Sequence, residues 1–491
     1  MTDTPANPAT PAPNRRTVLA GLGGIPLALG AAAPAGHGPR PATAPGDTAR
    51  GSRRAPATTL LRGAELLLTM DPSVGDGPLG TLHRADILMR HGRIAAVGRR
   101  LPAAPGTRVV DVSGRIVLPG FVDIHNHLWQ SSIRGGCSGQ DLYGWLAACN
   151  RTTLARIAAR DMYRFVRLAA LDALQAGVTT VVDWVHPIPY ETGAHYVRAL
   201  ADSGIRFVYA MMPPASGTGP AGRDGPAGHV TRVKRDLLDP LPLASLQIAA
   251  HAGMATVDTL RQYGALARDL GVMLNSHVLE HRGDRADDPI RALRLAGALG
   301  PGLLMNHAIH LTDDEIALVA EHEVRVAHCP LSNMRLASGI IRLPALHARG
   351  VRTGLGHDGG TNDTSDMFGV MKAAVGLQRA LHQDPAVHPT IPDVLRMATL
   401  GGAECVGLAD RVGSLTPGKR ADVVVLDPGT LNFAPRIDWT SQIVLNGQPP
   451  NVSHVFVDGH LRKADGRLVD TDTDAVVREA EDAADRVRDI L

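Results

Sequence analysis

The chain has little net charge, few cysteines, few aromatics and no long apolar run, and each shortage removes a class of protein. Its formal net charge is +2, from 50 Lys and Arg against 48 Asp and Glu. So balanced a surface makes no field that would gather nucleic acid or an anionic membrane, and neither is expected as a partner. The four cysteines, Cys137, Cys149, Cys329 and Cys405, lie far apart with no C-x-x-C pair. That argues against a disulfide framework and against a thiolate zinc site, leaving His and carboxylates to hold any metal. Aromatics make up 3% of the chain. Trp129, Trp145, Trp184 and Tyr143 therefore become the candidates for stacking a flat ligand, with core packing the competing role, above all for Trp184. No segment offers the ~20 strongly apolar residues of a membrane-spanning helix.

Length and histidine are what the chain does have. Its 491 residues exceed a single compact core, and 44% hydrophobic content makes it globular. Its 21 histidines often follow short apolar runs. At the N-terminus, Arg15-Arg16 precede a weakly apolar run over 17–33, and Ala33-Pro34-Ala35 supplies a small-residue cleavage pattern. This order reads as a twin-arginine export signal over 1–35, followed by a Pro/Ala/Gly/Arg-rich linker over 36–56. An exported protein with no membrane anchor after cleavage is expected; without a working signal the location would be the cytoplasm.

Residues 57–117 alternate short β-like runs with turns, and 413–470 carry a matching strand-rich pattern. One small composite β-sandwich built from both ends of the mature chain is the economical reading, with a capped helix over 471–491. Between them, over 118–412, apolar strands alternate with helices, the pattern of a parallel sheet with crossover helices. Eight strands are expected, at 121–127, 178–184, 206–211, 246–251, 272–277, 303–307, 325–328 and 352–358. Eight such units make an α/β fold, a (β/α)8 TIM-type barrel.

Several of these strands end in His or Asp, and the C-terminal rim of a parallel barrel gathers strand ends into one site. His125 and His127, two apart, should point the same way into the barrel mouth. With His277 and Asp358 they make a three-histidine, one-carboxylate set suited to zinc or, as the alternative, iron. A divalent metal in such a set lowers the pKa of a water toward neutrality. Glu280 follows His277 by three residues, so the strand must end near His277 for this carboxyl to turn inward and shuttle a proton. His307 could contact the water or substrate, with His310 the competing candidate. No lysine lies near His251, the strand end where some barrel metallohydrolases carry a bridging carbamylated lysine. One metal is therefore expected rather than two.

These residues resemble the amidohydrolase superfamily, in particular its mononuclear branch of guanine, cytosine, adenosine-analogue and triazine deaminases or chlorohydrolases. The resemblance rests on Pro119-Gly120-Phe121-Val122-Asp123-Ile124-His125-Asn126-His127, Ser276-His277-Val278-Leu279-Glu280 and Asn306-His307-Ala308-Ile309-His310. His328-Cys329-Pro330-Leu331-Ser332-Asn333, Gly356-His357-Asp358-Gly359 and Pro417-Gly418-Lys419-Arg420-Ala421-Asp422 complete it. It implies metal ligation by His125, His127, His277 and Asp358, proton transfer by Glu280, base action by Asp358, and a water or substrate contact from His307. It also implies substrate contacts from His251, Gln130, Asn333 and Arg134. The chain departs from the pattern in His251-Ala252-Gly253-Met254 and in His357, both at the rim.

The expected activity is hydrolytic deamination of an amino-substituted nitrogen heterocycle (purine, pyrimidine, pterin or triazine-like) through metal-held hydroxide, with Glu280 protonating the departing ammonia. Hydrolysis of a cyclic or linear amide, or loss of halide, is the alternative; a catalytically silent exported binding protein is a third. A small-molecule substrate and a homo-oligomer are expected.

Overall fold

Short apolar runs separated by amphipathic helices can bury both faces of a sheet only if helices cover it, and the chain from residue 121 to 355 does this. A computed structural model describes residues 58–214, 225–359 and 365–488. The expected export signal (1–35) and linker (36–56) lie outside the described residues. Five strands come first: β1 (Thr58–Leu68), β2 (Thr81–Arg90), β3 (Arg93–Gly98), β4 (Arg108–Asp111) and β5 (Ile116–Pro119). Eight follow: β6 (Phe121–Asn126), β7 (Val178–Val185), β8 (Arg206–Met211), β9 (Ala244–Ala249), β10 (Met273–Val278), β11 (Leu303–His307), β12 (Arg325–His328) and β13 (Thr353–Leu355). The last are β14 (Val423–Leu426), β15 (Val452–Val457), β16 (His460–Ala464) and β17 (Arg467–Leu468).

Strands β6 to β13 pair in chain order, every neighbour parallel. Helices such as Ala159–Gln175, Val257–Asp269 and Asp313–Glu321 form the crossovers. Alternate residues divide between two cores. Val122, Val182, Val208, Ala210, Ala249, Leu304 and Ala327 share one cluster, while Phe121, Val181, Phe207 and Tyr209 belong to the larger one that includes the helices. Past the ends of β6 and β13 the ring draws together where the Asp358 N–H donates to the His125 carbonyl at 2.9 Å. A Cβ at Gly356 would stand 2.8 Å from that same oxygen, so glycine is what lets the eighth segment approach. The result is a nearly closed TIM-type barrel. All eight strands fall where the sequence placed them, although β9 stops two residues short of His251 and β13 three short of Asp358.

The two chain ends join in one nine-stranded sheet, ordered β17-β16-β15-β14-β5-β1-β2-β3 with β4 against β1. The join is β5 against β14, with Val117 opposite Val425. Leu61, Leu67, Ile87, Val117, Val423, Val425 and Phe456 form its own core. It is fixed to the barrel by Arg206 of β8, whose Nε and Nη2 each reach a carboxylate oxygen of Asp422 at 2.9 Å, both residues buried. The closing helix is Thr473–Ala484, capped by the Asp472 side chain, which accepts from the Ala475 N–H.

One expectation is corrected. Cys137 and Cys149 are joined by a disulfide, with Cα atoms 6.3 Å apart. The short helical turns Leu142–Trp145 and Leu146–Asn150 fold the intervening chain back on itself, a local geometry that cysteine spacing does not reveal. Cys329 and Cys405 are buried free thiols. No helix among the described residues is long and apolar enough to cross a membrane.

Candidate active site and metal centre

His125 and His127 close β6, where the register against β7 slips between the Asp123–Val181 and Asn126–Asp183 pairs. The extra residue is a bulge, a device that re-aims side chains at barrel rims. Both imidazoles converge on one oxygen: Asp358 Oδ1 lies 3.1 Å from His125 Nε2 and 3.4 Å from His127 Nε2. His127 Nδ1 donates to the Trp184 carbonyl at 2.7 Å, leaving a lone pair on Nε2, which sits 3.3 Å from His277 Nε2. A backbone carbonyl fixing the far nitrogen is the usual support for a metal-ligating imidazole.

Asp123, fully buried, organises the base of this cluster. Its carboxylate accepts from the Asn126 side-chain amide at 2.7 Å, from the His357 N–H at 3.1 Å, and pairs with His357 Nδ1 at 2.9 Å. Burial lowers the His357 pKa, but Asp123 outweighs it and the net shift is upward. His357, a departure from the family pattern, is thereby a buried tie between β6 and the segment carrying Asp358.

Backbone turns aim the remaining groups. β10 ends at Val278, and Leu279 takes φ +51, so Glu280 swings inward as the sequence required. His307 and Asp358 themselves take φ +69 and +72. Left-handed conformations at non-glycine residues cost energy, and three so close to one site are strain held for a purpose. Glu280 Oε2 lies 3.4 Å from His307 Nε2. As the amide of Asn333 is oriented, its Nδ2–H donates to His307 Nδ1 at 3.1 Å, which places the ring proton on Nε2, facing Glu280. Ser332 donates to the Asp358 carboxylate.

The two carboxyls are driven apart. Burial, with the charges of Asp358 and Asp284 adding, pushes Glu280 well above the usual carboxyl range. Burial raises Asp358 too, but the surrounding imidazoles, His307 first and then His125 and His127, override it and hold the group well below that range. Opposed shifts in neighbouring carboxyls assign an acid and a base. Burial chiefly lowers His125, His277 and His307, the last to about 3, so these imidazoles stay neutral, as ligands must be.

Ligating atoms of His125, His277, His307 and Asp358 all lie within 4.8 Å of one another, with His127 beside them. His125 Nε2 is buried without hydrogen-bond geometry to any partner among the described residues. Lone pairs that converge on a shared point rather than on each other fit a divalent metal. His307, whose Nε2 carries the proton, fits a donor better than a ligand.

Of the expected substrate contacts, His251 and Gln130 line a cavity of ≈ 310 Å3 that ends at Asp358, together with Trp145, Trp184 and Tyr143. Asn333 instead holds His307, and Arg134 pairs with Asp172 at 2.9 Å, outside the cavity lining. His310 reaches the Ser338 carbonyl, and Trp129 packs in the core beside His186. Sequence reasoning overlooked Asp123, Ser332 and His186, which lines the cavity. Asp123 lay on the strand two residues before His125; His186 follows the second strand's end.

Fold and site together define a barrel metallohydrolase. The chain belongs to the amidohydrolase family, whose model matches residues 116–462. A 5-methylthioadenosine/S-adenosylhomocysteine deaminase of Symbiobacterium thermophilum is 31% identical over 76% of this chain and 88% of its own. A 5'-deoxyadenosine deaminase of Methanothermobacter thermautotrophicus is 30% identical over 86% and 98%. Among solved structures, an adenosine deaminase from Xanthomonas campestris with bound zinc aligns with TM-score 0.78 at 27% identity, covering 88% of this chain and 98% of that one. An atrazine chlorohydrolase from Arthrobacter aurescens aligns at 0.78 and 23%, covering 87% and 100%, a likeness of fold. The protein is a hydrolase of carbon–nitrogen bonds other than peptide bonds, consistent with hydrolytic deamination of a nitrogen heterocycle.

Proposed function

We propose that the protein is a zinc-dependent deaminase of adenosine-type nucleosides. One observation carries the reading: the buried Glu280 carboxyl faces His307 Nε2 at 3.4 Å, its pKa pushed up chiefly by burial, while Asp358 beside it is held down. His125, His127, His277 and Asp358 would hold the metal, which when bound lowers the pKa of a water and so supplies the nucleophile. Asp358 would accept a proton from the attacking water, and the His307 Nε2–H would orient the oxygen toward the amino-bearing carbon. Glu280 would protonate the ring nitrogen, the proton accepted by Asp358 would pass to the amine, which leaves as ammonia, and the hydroxyl on the ring carbon would return its proton to Glu280 as it becomes a carbonyl. Gln130 and His251 contact the substrate, and Trp184 and Trp145 flank it. The names of the relatives support adenosine derivatives as the class.

The test is ammonia release and product mass from metal-loaded protein given adenosine, 5'-deoxyadenosine, 5'-methylthioadenosine, S-adenosylhomocysteine and a chlorotriazine. Release of ammonia from the nucleosides is expected; chloride release alone would move the reading to dehalogenation.

We further propose that the chain is exported by the twin-arginine route. Its N-terminal order of Arg15-Arg16, apolar run and Ala33-Pro34-Ala35 supports this, as does a disulfide, since such bonds persist in oxidising compartments. Replacing Arg15 and Arg16 by lysine should leave the protein in the cytoplasm on fractionation.

A further inference from the structure

The barrel has a second cavity at its other end. Strands β9, β10 and β12 begin with Ala244, Met273 and Arg325. These three, with Pro301 and Gly302 just before β11, line a space of ≈ 610 Å3. It therefore lies at the N-terminal ends of the strands, across the barrel from Asp358. In barrels of this kind chemistry belongs to the C-terminal rim and the opposite end to stability, so the reaction gives this cavity no purpose. Its walls are mostly apolar, with Leu238, Leu241, Val272, Val406 and Leu408 among them.

One cation stands in this wall without a counter-ion among the described residues. The half-buried Arg325 directs Nη1 at the Met273 thioether, 3.5 Å away, and at the Cys405 carbonyl at 3.4 Å. A Cβ on Gly407, another lining residue, would lie 3.8 Å from the same Nη1, so the guanidinium itself stands between two residues of the wall. Its Nη2 makes no hydrogen bond among the described residues and is not closed off from solvent. The carboxylates around it are engaged elsewhere: Glu323 pairs with Arg352 at 3.6 Å, Glu404 with Arg396, and Asp239 with Lys234 at 2.6 Å. Burial, with the charge of Arg352 adding, lowers the Arg325 pKa, as it does for a cation short of an anion. As the amide of Gln247 is oriented, its Nε2 also leans on Met273 Sδ, at 3.7 Å. A thioether is a weak acceptor, and two strong donors sharing one leave a surplus that an oxyanion would take up.

We propose that this cavity binds a small organic anion, whose carboxylate or phosphate pairs with the Arg325 guanidinium while its apolar body lies against Leu238, Leu241 and Leu408. Such a ligand sits at the far end of the barrel from the substrate and does not compete with it. Nothing in this site depends on which reaction the catalytic rim performs.

Hexanoate, hexyl phosphate and hexanol, titrated calorimetrically into the metal-loaded full chain, test the site. At least one of the anions is expected to bind about tenfold or more tightly than hexanol, and the tighter of the two assigns the headgroup. Arg325→Gln removes the charge, and Ser245→Phe fills the cavity from the start of β9; each should weaken that anion about tenfold or more. Asp358→Ala should bind it as wild type does, because the catalytic metal is not the site. Wild-type protein gives a reading that needs no variant to fold: the bound anion should slow modification of Arg325 by phenylglyoxal, followed by peptide mass. Anions no tighter than hexanol, undiminished binding in folded Arg325→Gln, binding lost in Asp358→Ala, or modification of Arg325 at the same rate with and without the anion would each overturn the proposal.

Discussion

Glu280 Oε2 stands 3.4 Å from Nε2 of His307, each aimed by a left-handed residue, Leu279 in one case and His307 itself in the other. The pair joins the ends of neighbouring strands β10 and β11, so a buried carboxyl and an imidazole arrive together on one rim. Glu280→Gln keeps the shape and removes the mobile proton. It should lower kcat by about 10²–10⁴ at nearly constant KM and full metal content. A variant within tenfold of wild type would remove Glu280 from the chemistry.

Metal binding should couple to stability, because the proposed ligands come from the end of β6, from β10 and from the segment after β13. Chelation is expected to abolish activity and lower Tm. At a metal concentration a thousandfold above Kd, the linked stabilisation is about 4 kcal/mol. Asp358→Ala should bind less than one metal per chain and lose most of this difference, as read by elemental analysis and calorimetry. Equal Tm values with and without metal would count against the assigned set.

Acid should destabilise the fold through buried neutral histidine. Burial lowers His328 to about 3, and neither of its ring nitrogens has a partner among the described residues. An unfolded histidine titrates near ~6.5. Below that pH the unfolded chain takes up a proton that the folded one refuses, so stability falls as pH drops from about 6.5 toward about 3. The loss is at most ~1.4 kcal/mol per pH unit for this one group. Urea midpoints of metal-free His328→Leu should fall less steeply with acid than those of wild type; parallel slopes would show that other groups carry the effect.

Arg206 and Asp422 make a buried bidentate pair between barrel and composite sheet. Removing one partner leaves a charge without its counter-ion. Arg206→Ala should cost about 3–5 kcal/mol in urea unfolding, while Arg206→Ala/Asp422→Ala together should cost less than the sum. Additive losses would mean that the pair is not coupled.

Much of this architecture could be read from periodicity. The eight barrel strands follow from short apolar runs between amphipathic helices, and the meeting of His125, His127, His277 and Asp358 on one rim follows from their places at or just past strand ends. Glu280 was legible only as a condition, that the strand stop near His277, which the turn at Leu279 satisfies. Contacts between distant loops were not legible. Asn333 lies in a recognisable motif, yet only its meeting with His307 shows that it positions a ring. Arg134 sits near the site in sequence but turns to Asp172. Cysteine spacing hid the bond between Cys137 and Cys149, since two short helical turns decide whether the sulfurs meet. Pro417 to Asp422 could be recognised as a signature, but its physical purpose, anchoring Arg206, needed the third dimension.

The pairing of β5 with β14 also sets an order of events. Val117 and Val425 are partners, and the whole barrel is threaded between them. During synthesis, β5 must leave one edge unpaired until the chain has grown past the barrel, and long-range closures of this kind are slow. The sheet is therefore a completion check: it seals only on a chain whose barrel is already present, and a truncated product is left with an open, protease-sensitive edge.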